Sequence, residues 1–143
     1  MTTVPVPAVV PQTDVARMIR DVVRADATSI VATATIDPAH PLVVGGAAPA
    51  YLGIEIGAQA AAALAASTAP AGGEPRAIGG RLVRVRDARF ARPALPVGAV
   101  LTVTAECTGA FAPLAAYVVQ VCHDGAVLVS AALSTYELGP VPA

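Results

Sequence analysis

A single carboxylate stands inside the most apolar stretch of this chain. Between residues 42 and 69 the only charged side chain is Glu55, and the only side-chain amide is Gln59, one helical turn further on. A carboxylate among alanines must be paired or neutralised, because burial of a lone charge is very unfavourable. The segment just upstream supplies an imidazole, His40. An acid and an imidazole on either side of a glycine-containing turn are a candidate pair for proton transfer.

The elements that position these two groups follow from hydropathy and from the breaker residues. Residues 51–66 predict one helix that is rich in alanine and apolar on every side, so we expect it to be buried all round. Residues 37–49 contain three prolines and two glycines and predict the loop that carries His40. Residues 14–24 fit a short helix and a strand equally well.

The rest of the chain predicts a sheet. Alternating apolar residues indicate strands at 29–36, 78–90, 100–108, 115–123 and 127–138. Asp124 and Gly125 predict a two-residue hairpin, and residues 67–75 predict a turn. We therefore expect one α+β domain over residues 1–143, with an extended arm over 1–12 and an antiparallel sheet wrapped around one long central helix.

The composition excludes several classes of function. The chain has 143 residues, of which 55% are hydrophobic, and a net charge of −1, which indicates one folded domain that does not bind nucleic acid. The apolar stretch contains a glycine pair, Pro49 and Glu55, so we expect no membrane span. No cationic n-region followed by an apolar h-region opens the chain, so we expect no leader peptide and a cytoplasmic protein. Cys107 and Cys122 lack metal-ligand spacing, so we expect free thiols, no metal and no cofactor.

Four segments resemble the hotdog-fold β-hydroxyacyl-acyl-carrier-protein dehydratases, and in particular the branch found in aryl-polyene and related pathways. Residues 40–46 and 49–59, which read HPLVVGG and PAYLGIEIGAQ, resemble the loop and helix of the catalytic site in that family. Residues 78–90 (IGGRLVRVRDARF) resemble the strand after the helix, and residues 128–136 (LVSAALSTY) resemble the final strand. The resemblance implies a hotdog fold.

The resemblance also implies an activity. It is that of a lyase that dehydrates 3-hydroxyacyl thioesters on acyl carrier protein to trans-2-enoyl thioesters, in fatty acid, polyketide or aryl-polyene biosynthesis. The catalytic pair would be His40 and Glu55, contributed by opposite subunits of a dimer. For this reaction we expect His40, with an ordinary pKa of about 6.5, to be the base. We expect Glu55 to be the acid, because burial would raise the pKa of its carboxyl.

Neighbouring groups are expected to complete the site. Gln59 would orient the carboxyl from the same face of the helix. Backbone N–H groups at the helix start, around Ala50 and Tyr51, would bind the thioester oxygen, because a helix start presents unpaired donors. Gly53 and Gly57 would leave room beside the helix for the substrate tunnel.

A run of arginines follows the helix. Arg81, Arg84, Arg86 and Arg89 lie in the segment 78–90, where only Asp87 opposes them. Because carrier proteins are acidic, a basic patch near the tunnel mouth would suit docking of acyl carrier protein. A solvated strand face is an equally open interpretation.

Two alternatives to a dehydratase remain open. One is a hotdog acyl-thioesterase, in which the helix carboxylate activates water or attacks the thioester. The other is a non-catalytic hotdog subunit that pairs with an active homologue, because Pro11 and Gln12 stand where the aryl-polyene branch carries Pro-His. An exposed sheet edge and an apolar helix favour a dimer, either a homodimer or a heterodimer.

Overall fold

The computed structural model describes residues 14–67 and 78–140. The arm predicted for residues 1–12 and nearly all of the turn predicted for 67–75 lie outside the described residues. The elements, in chain order, are a 3-10 turn (Asp14–Ala16), β1 (Ile19–Ala25), β2 (Ser29–Ala34), β3 (Ala48–Pro49), α1 (Leu52–Ser67), β4 (Ile78–Phe90), β5 (Ala94–Leu95), β6 (Leu101–Phe111), β7 (Leu114–His123) and β8 (Ala126–Pro140).

Six strands form one antiparallel sheet around the helix. Their order is β1-β2-β6-β7-β8-β4, so β1 and β4 are the two edges. The helix packs against one face of this sheet and contacts every strand of it. This is the α+β architecture expected from the sequence, and the helix and the strand β4 have nearly the predicted bounds. Among the described residues, no helix is long and apolar enough to cross a membrane.

The ambiguous segment 14–24 divides into two elements. Asp14–Ala16 forms the 3-10 turn, and the strand β1 begins at Ile19. Strands β3 and β5 were not predicted, because each has only two residues and no periodicity to show. The strand β3 ends the loop that carries His40 and lies just before α1. Its pairing with β5 connects that loop to the segment after β4.

Two glycines bring the helix close to the sheet. A Cβ atom placed on Gly53 would lie 2.6 Å from Val129 Cγ2, and one placed on Gly57 would lie 2.6 Å from Val119 Cγ2. Real side chains do not approach so closely, so each position requires glycine. The expectation that these glycines leave room for a substrate tunnel is therefore corrected. The valine side chains of β8 and β7 fill the space that the missing Cβ atoms leave.

One stripe of the helix is not fully covered. Ile54, Glu55, Ala58, Ala62 and Ala65 are only partly buried, whereas the other residues from Leu52 to Ala66 are buried. These residues recur at helical spacing, so they lie along one side. The prediction that the helix is buried all round holds for three sides of it, and Glu55 lies on the fourth, open side.

The two edges of the sheet differ in character. The edge strand β1 carries Arg20, Asp21 and Arg24 and has two irregularities in its register with β2, which are ordinary features of a protected edge. The edge strand β4 also carries charges and has three irregularities in its register with β8, but it exposes apolar side chains between the charged ones: Leu82, Val83, Val85 and Phe90, with exposed fractions of 39–55%. These apolar side chains are available for contact with another subunit.

Candidate active site

Gln59 connects the middle of the helix to the beginning of the sheet. Its side chain is 0% exposed. Its Oε1 accepts hydrogen bonds from the backbone N–H groups of Met18 and Ile19, at 2.8 and 3.2 Å. Its Nε2 donates to the Ala16 carbonyl at 2.7 Å and to Oε1 of Glu55 at 3.4 Å. All four hydrogen-bonding positions of this buried amide are therefore used, as a buried polar group requires.

Glu55 lies in the first turn of α1 on its open side. The positive end of the helix dipole is there, so a negative charge is favourable at this position. One carboxyl oxygen accepts the Gln59 hydrogen bond. The expectation that Gln59 contacts Glu55 from the next turn agrees with this geometry, although most of the hydrogen bonds of Gln59 hold the backbone before β1. The full burial that we expected for Glu55 is not found within one chain.

His40 is held in the loop between β2 and β3 by its backbone and by its ring. It is 8% exposed. Its N–H donates to the Asp37 carbonyl and its carbonyl accepts from the Val43 N–H, both at 2.9 Å, so two successive turns fix its backbone. The ring nitrogen Nδ1 accepts a hydrogen bond from the Leu42 N–H at 3.1 Å. A neutral imidazole that accepts at Nδ1 carries its proton on Nε2 and is a donor there.

The start of the helix presents fewer free donors than the sequence predicts. The Ala50 N–H donates to the Pro93 carbonyl at 3.0 Å, so it is not available to a substrate. This corrects the expectation that Ala50 is part of an oxyanion site. The Tyr51 N–H has no hydrogen-bond partner among residues 14–67 and 78–140, and the Tyr51 side chain is 56% exposed. The oxyanion role expected at Tyr51 stays a prediction.

Four arginines of β4 lie on one face of the sheet. Two β-bulges cause this, since β4 gains one residue relative to β8 between Leu82 and Arg84, and another between Arg86 and Arg89. The register then places Arg81, Arg84, Arg86 and Arg89 opposite Tyr136, Ser134, Ala132 and Ser130. We call these four arginines the arginine row. Side chains alternate between faces along a regular strand, so an unbulged β4 would divide the four between both faces.

The arginine row lies on the outer face of the sheet, which is the face turned away from α1. On β8, the residues that pair with the arginines alternate with residues that are buried, namely Val129, Ala131 and Leu133. Val129 packs at Gly53 of the helix, so these buried residues face α1. All four arginines are exposed, and among the described residues no carboxylate forms an ion pair with them. The row is basic surface on the opposite side of the sheet from the helix, and its use for carrier docking stays a prediction.

Sequence reasoning missed two features of this region. The hydrogen bond from the Leu42 N–H to His40 is made by a backbone group, and no residue type signals it. The bulges in β4 were also missed. Their one signal in the sequence was the spacing of the arginines, which matches neither the side-chain period of a regular strand nor the period of a helix.

Known structures share this arrangement of sheet and helix. A chain of the dehydratase heterocomplex ApeI:P from Xenorhabdus doucetiae is 22% identical and superimposes with a TM-score of 0.83, covering 94% of this chain and 91% of that one. The PaaI protein of E. coli gives a TM-score of 0.63 at 15% identity, covering 85% of this chain and 80% of that one. A hypothetical thioesterase with coenzyme A from Streptococcus pneumoniae TIGR4 gives 0.60 at 16% identity, covering 85% and 87%. The protein therefore has the hotdog fold.

The family is shown by its sequence model. The model of the ApeP-like family, described as ApeP dehydratase, matches residues 4–140. This chain belongs to the ApeP-like dehydratase family, which confirms the predicted relationship to the aryl-polyene branch of the hotdog dehydratases. Comparison with curated protein sequences gives no match.

Proposed function

We propose that this chain is a subunit of a dehydratase that converts 3-hydroxyacyl thioesters on acyl carrier protein to trans-2-enoyl thioesters. The observation that carries the proposal is the anchored carboxyl of Glu55 on the open side of the helix, with the fixed imidazole of His40 on the loop leading to that helix. Elimination of water moves a proton from C2 to the departing hydroxyl, and a carboxyl and an imidazole are suited to that transfer. Family membership supports the reaction class.

We further propose that a second hotdog subunit completes the site by pairing along β4. The apolar residues of that edge and the open side of α1 would then be covered together. A site shared between subunits explains why Glu55 lies on the open side of the helix rather than in the core. The second subunit is an identical chain or a homologue, and the heterocomplex composition of the ApeI:P structure supports the homologue.

The arginine row is our candidate docking surface for the acyl carrier protein. Four exposed guanidinium groups without ion pairs among the described residues form a positive field along roughly 20–30 Å of strand, taking about 3.3 Å per residue. Such a field attracts an acidic partner. The row lies on an edge strand, so a carrier bound there would be adjacent to the proposed subunit boundary.

The proposal is tested by mixing purified protein with a 3-hydroxyacyl carrier protein and measuring the enoyl product. Formation of the trans-2-enoyl thioester, lost in Glu55→Ala, is the expected result. The matched control is Glu106→Ala, because Glu106 is an exposed glutamate on β6, far from the helix start in the chain. Unchanged turnover in Glu55→Ala would contradict the assignment of the site.

A second candidate is a subunit that contributes structure but no catalytic group to a heterocomplex. The observation that favours this candidate is the structural similarity to a chain of a heterocomplex. It predicts that this chain is inactive alone, that a neighbour-encoded hotdog protein restores activity, and that Glu55→Ala has no effect on the mixture. The mixture made with Glu55→Ala therefore separates the two candidates.

The thioesterase alternative has a different readout. Hotdog thioesterases are among the similar structures, but at 16% identity they show only the fold. A thioesterase would release free thiol from an acyl thioester that lacks a 3-hydroxyl group. The dehydratase proposed here would leave that substrate unchanged.

A further inference from the structure

We propose that the end of the hairpin between β6 and β7 binds the surface of an anionic phospholipid bilayer. This interaction is separate from the proposed activity and does not rest on it. The hairpin end comprises residues 109–114, which read GAFAPL. It joins two long strands of the sheet through a segment that has no polar side chain.

All six residues of the hairpin end are exposed. Phe111 is 86% exposed, more than any other large hydrophobic residue that the structure describes, and Leu114 is 49% exposed. The turn between β7 and β8 instead carries Asp124 and Gly125, which are ordinary turn residues. An exposed apolar patch of this kind marks a contact with a partner protein or with a membrane.

Both faces of the hairpin end are apolar, which favours a membrane over a partner protein. Phe111 and Leu114 are opposite each other in the register and share one face, whereas Ala110 and Ala115 share the other. A partner protein would cover one face of a pair of strands. A bilayer surrounds whatever part of the hairpin enters it, so both faces must be apolar.

The backbone of the turn also suits a membrane. Pro113 has no N–H, and its carbonyl accepts a hydrogen bond from the Glu137 N–H at 2.7 Å. Backbone groups that enter lipid must be satisfied within the protein, because hydrocarbon offers no hydrogen-bond partner. Pro113 therefore brings no unsatisfied backbone group into the bilayer.

One row of side chains continues from the hairpin end to a cation. Leu114 pairs with Tyr136, and Tyr136 pairs with Arg81, so the three lie in line on the outer face. Arg81 is two strands from Leu114, which is about 10 Å across the sheet. Peripheral apolar surfaces enter a bilayer by about 5–10 Å, with tyrosine at the headgroups and arginine at the phosphates. A sheet that enters at its β6–β7 corner therefore brings each of the three to a favourable depth.

Few charges lie close to the hairpin end. Arg81 and Arg84 are the nearest members of the arginine row, and the exposed Glu137 offsets one of them. Arg89 is about 20 Å from Arg81 along the strand, whereas the Debye length at physiological salt is about 8 Å. Beyond the row of Tyr136, the other residues of β4 and β8 are apolar in type: Ile78, Gly79, Gly80, Leu138, Gly139 and Pro140. Binding should therefore depend mainly on apolar side chains and modestly on anionic lipid.

The hairpin end is remote from the candidate site. Tyr136 and Val129 are seven positions apart on β8, which is about 23 Å, and Val129 packs at Gly53 in the first turn of the helix. A protein bound through the hairpin end would hold Glu55 away from the bilayer. Turnover of a soluble substrate should therefore not change on membrane binding.

Tryptophan fluorescence tests insertion directly. The chain has no tryptophan, so Phe111→Trp introduces a single reporter at the hairpin end. Vesicles of phosphatidylcholine and phosphatidylglycerol should shift its emission to shorter wavelength, and brominated acyl chains should quench it. The matched control is Val100→Trp, because Val100 is 67% exposed and precedes the other end of β6. Emission from Phe111→Trp that is neither shifted nor quenched would overturn the proposal.

Sedimentation with the same vesicles measures what each group contributes. Phe111→Ser/Leu114→Ser should weaken binding by about 100-fold, because two apolar side chains lose their burial in the bilayer. Arg81→Gln should weaken binding by about fivefold, whereas Arg89→Gln should leave it unchanged. Wild-type affinity in the double variant, with circular dichroism showing that it is folded, would contradict insertion at the hairpin end.

A second copy of this chain at the hairpin end would give a different result. Phe111→Ser would then lower the mass measured by sedimentation without lipid, and vesicles would bind neither form, which overturns the proposal. Vesicle binding is measured without substrate, so it holds or fails separately from the proposed dehydration.

Discussion

Nε2 of Gln59 lies 3.4 Å from Oε1 of Glu55, and the other three hydrogen-bonding positions of this amide are occupied by backbone groups that precede and begin β1. The candidate catalytic carboxyl is therefore tied, through one buried side chain, to the first strand of the sheet. The same amide that contacts the carboxyl also satisfies the backbone where the chain enters the fold.

Replacing Gln59 by leucine should destabilise the protein strongly. The N–H groups of Met18 and Ile19 would lose their partner in a buried position, at a cost of about 1–3 kcal/mol for each unsatisfied group, whereas the Ala16 carbonyl is on an exposed residue and can be hydrated. We expect the free energy of unfolding, measured with urea, to fall by roughly 2 kcal/mol or more. The control is Glu55→Gln, which removes the carboxylate but not these backbone contacts. A loss below about 1 kcal/mol in Gln59→Leu would contradict the anchoring role.

Adding a methyl group at Gly57 should also destabilise the fold. The new Cβ would meet Val119 Cγ2 at 2.6 Å, and overpacking of this kind costs about 1–3 kcal/mol, which exceeds the gain in helix propensity of about 1 kcal/mol. Val119→Ala should create room for it. We therefore expect the double variant Gly57→Ala/Val119→Ala to unfold at a higher urea concentration than the sum of the single effects predicts. Additive effects would show that the two positions do not compete for space.

Reversing charge in the arginine row should weaken carrier docking selectively. Arg84→Glu/Arg86→Glu should raise KM for a carrier-linked substrate by about tenfold or more and flatten its dependence on salt, because these charges act mainly on association. Turnover of a pantetheine thioester that lacks the carrier should stay unchanged. Arg24→Glu is the control, since Arg24 is exposed on β1 at the other edge of the sheet. Equal effects on the two substrates would rule out docking at the row.

A negative charge introduced among the apolar side chains of the edge strand β4 should prevent subunit pairing. Val85 lies opposite Leu133, whose side chain is buried on the helix side, and it is 41% exposed. Val85→Asp would place a carboxylate within the proposed boundary, where it has no partner, so sedimentation should show a shift from dimer to monomer. Thr102→Asp, on the exposed outer side of β6, should leave the assembly unchanged. A Val85→Asp dimer as stable as wild type would exclude β4 as the interface.

Alkaline pH should destabilise the fold through Tyr117. Burial raises the pKa of this phenol, and the nearby charges of Cys107 and Glu137 raise it further. The folded state therefore retains the proton more strongly than the unfolded state, whose tyrosine pKa is about 10. The stability that protonated Tyr117 contributes to the fold is complete below about pH 10 and is lost as the pH rises above it. Urea midpoints between about pH 8 and 11 should fall more steeply for the wild type than for Tyr117→Phe. Equal slopes would contradict this assignment.

The sequence by itself determined the elements and the choice of chemistry. Alanine content and the absence of breakers located the helix, and alternation located the long strands, because these are local properties of the chain. The exception among the longer elements was the segment 14–24, whose apolar spacing fits both periods. The identity of Glu55, Gln59 and His40 as candidate site residues also followed from the sequence, since a lone carboxyl in an apolar helix is anomalous wherever the helix packs.

Only the tertiary structure decided what each of these groups contacts. Gly53 and Gly57 were expected to line a tunnel and instead pack against Val129 and Val119, which is settled by the distance between helix and sheet. The Ala50 N–H donates to the carbonyl of Pro93, which is more than forty positions away in the chain. The position of the arginine row depends on the register between β4 and β8, which is a property of two strands rather than of one. Hydrogen bonds and packing between distant segments form only once the chain has closed around its helix, so no local pattern of residues can specify them.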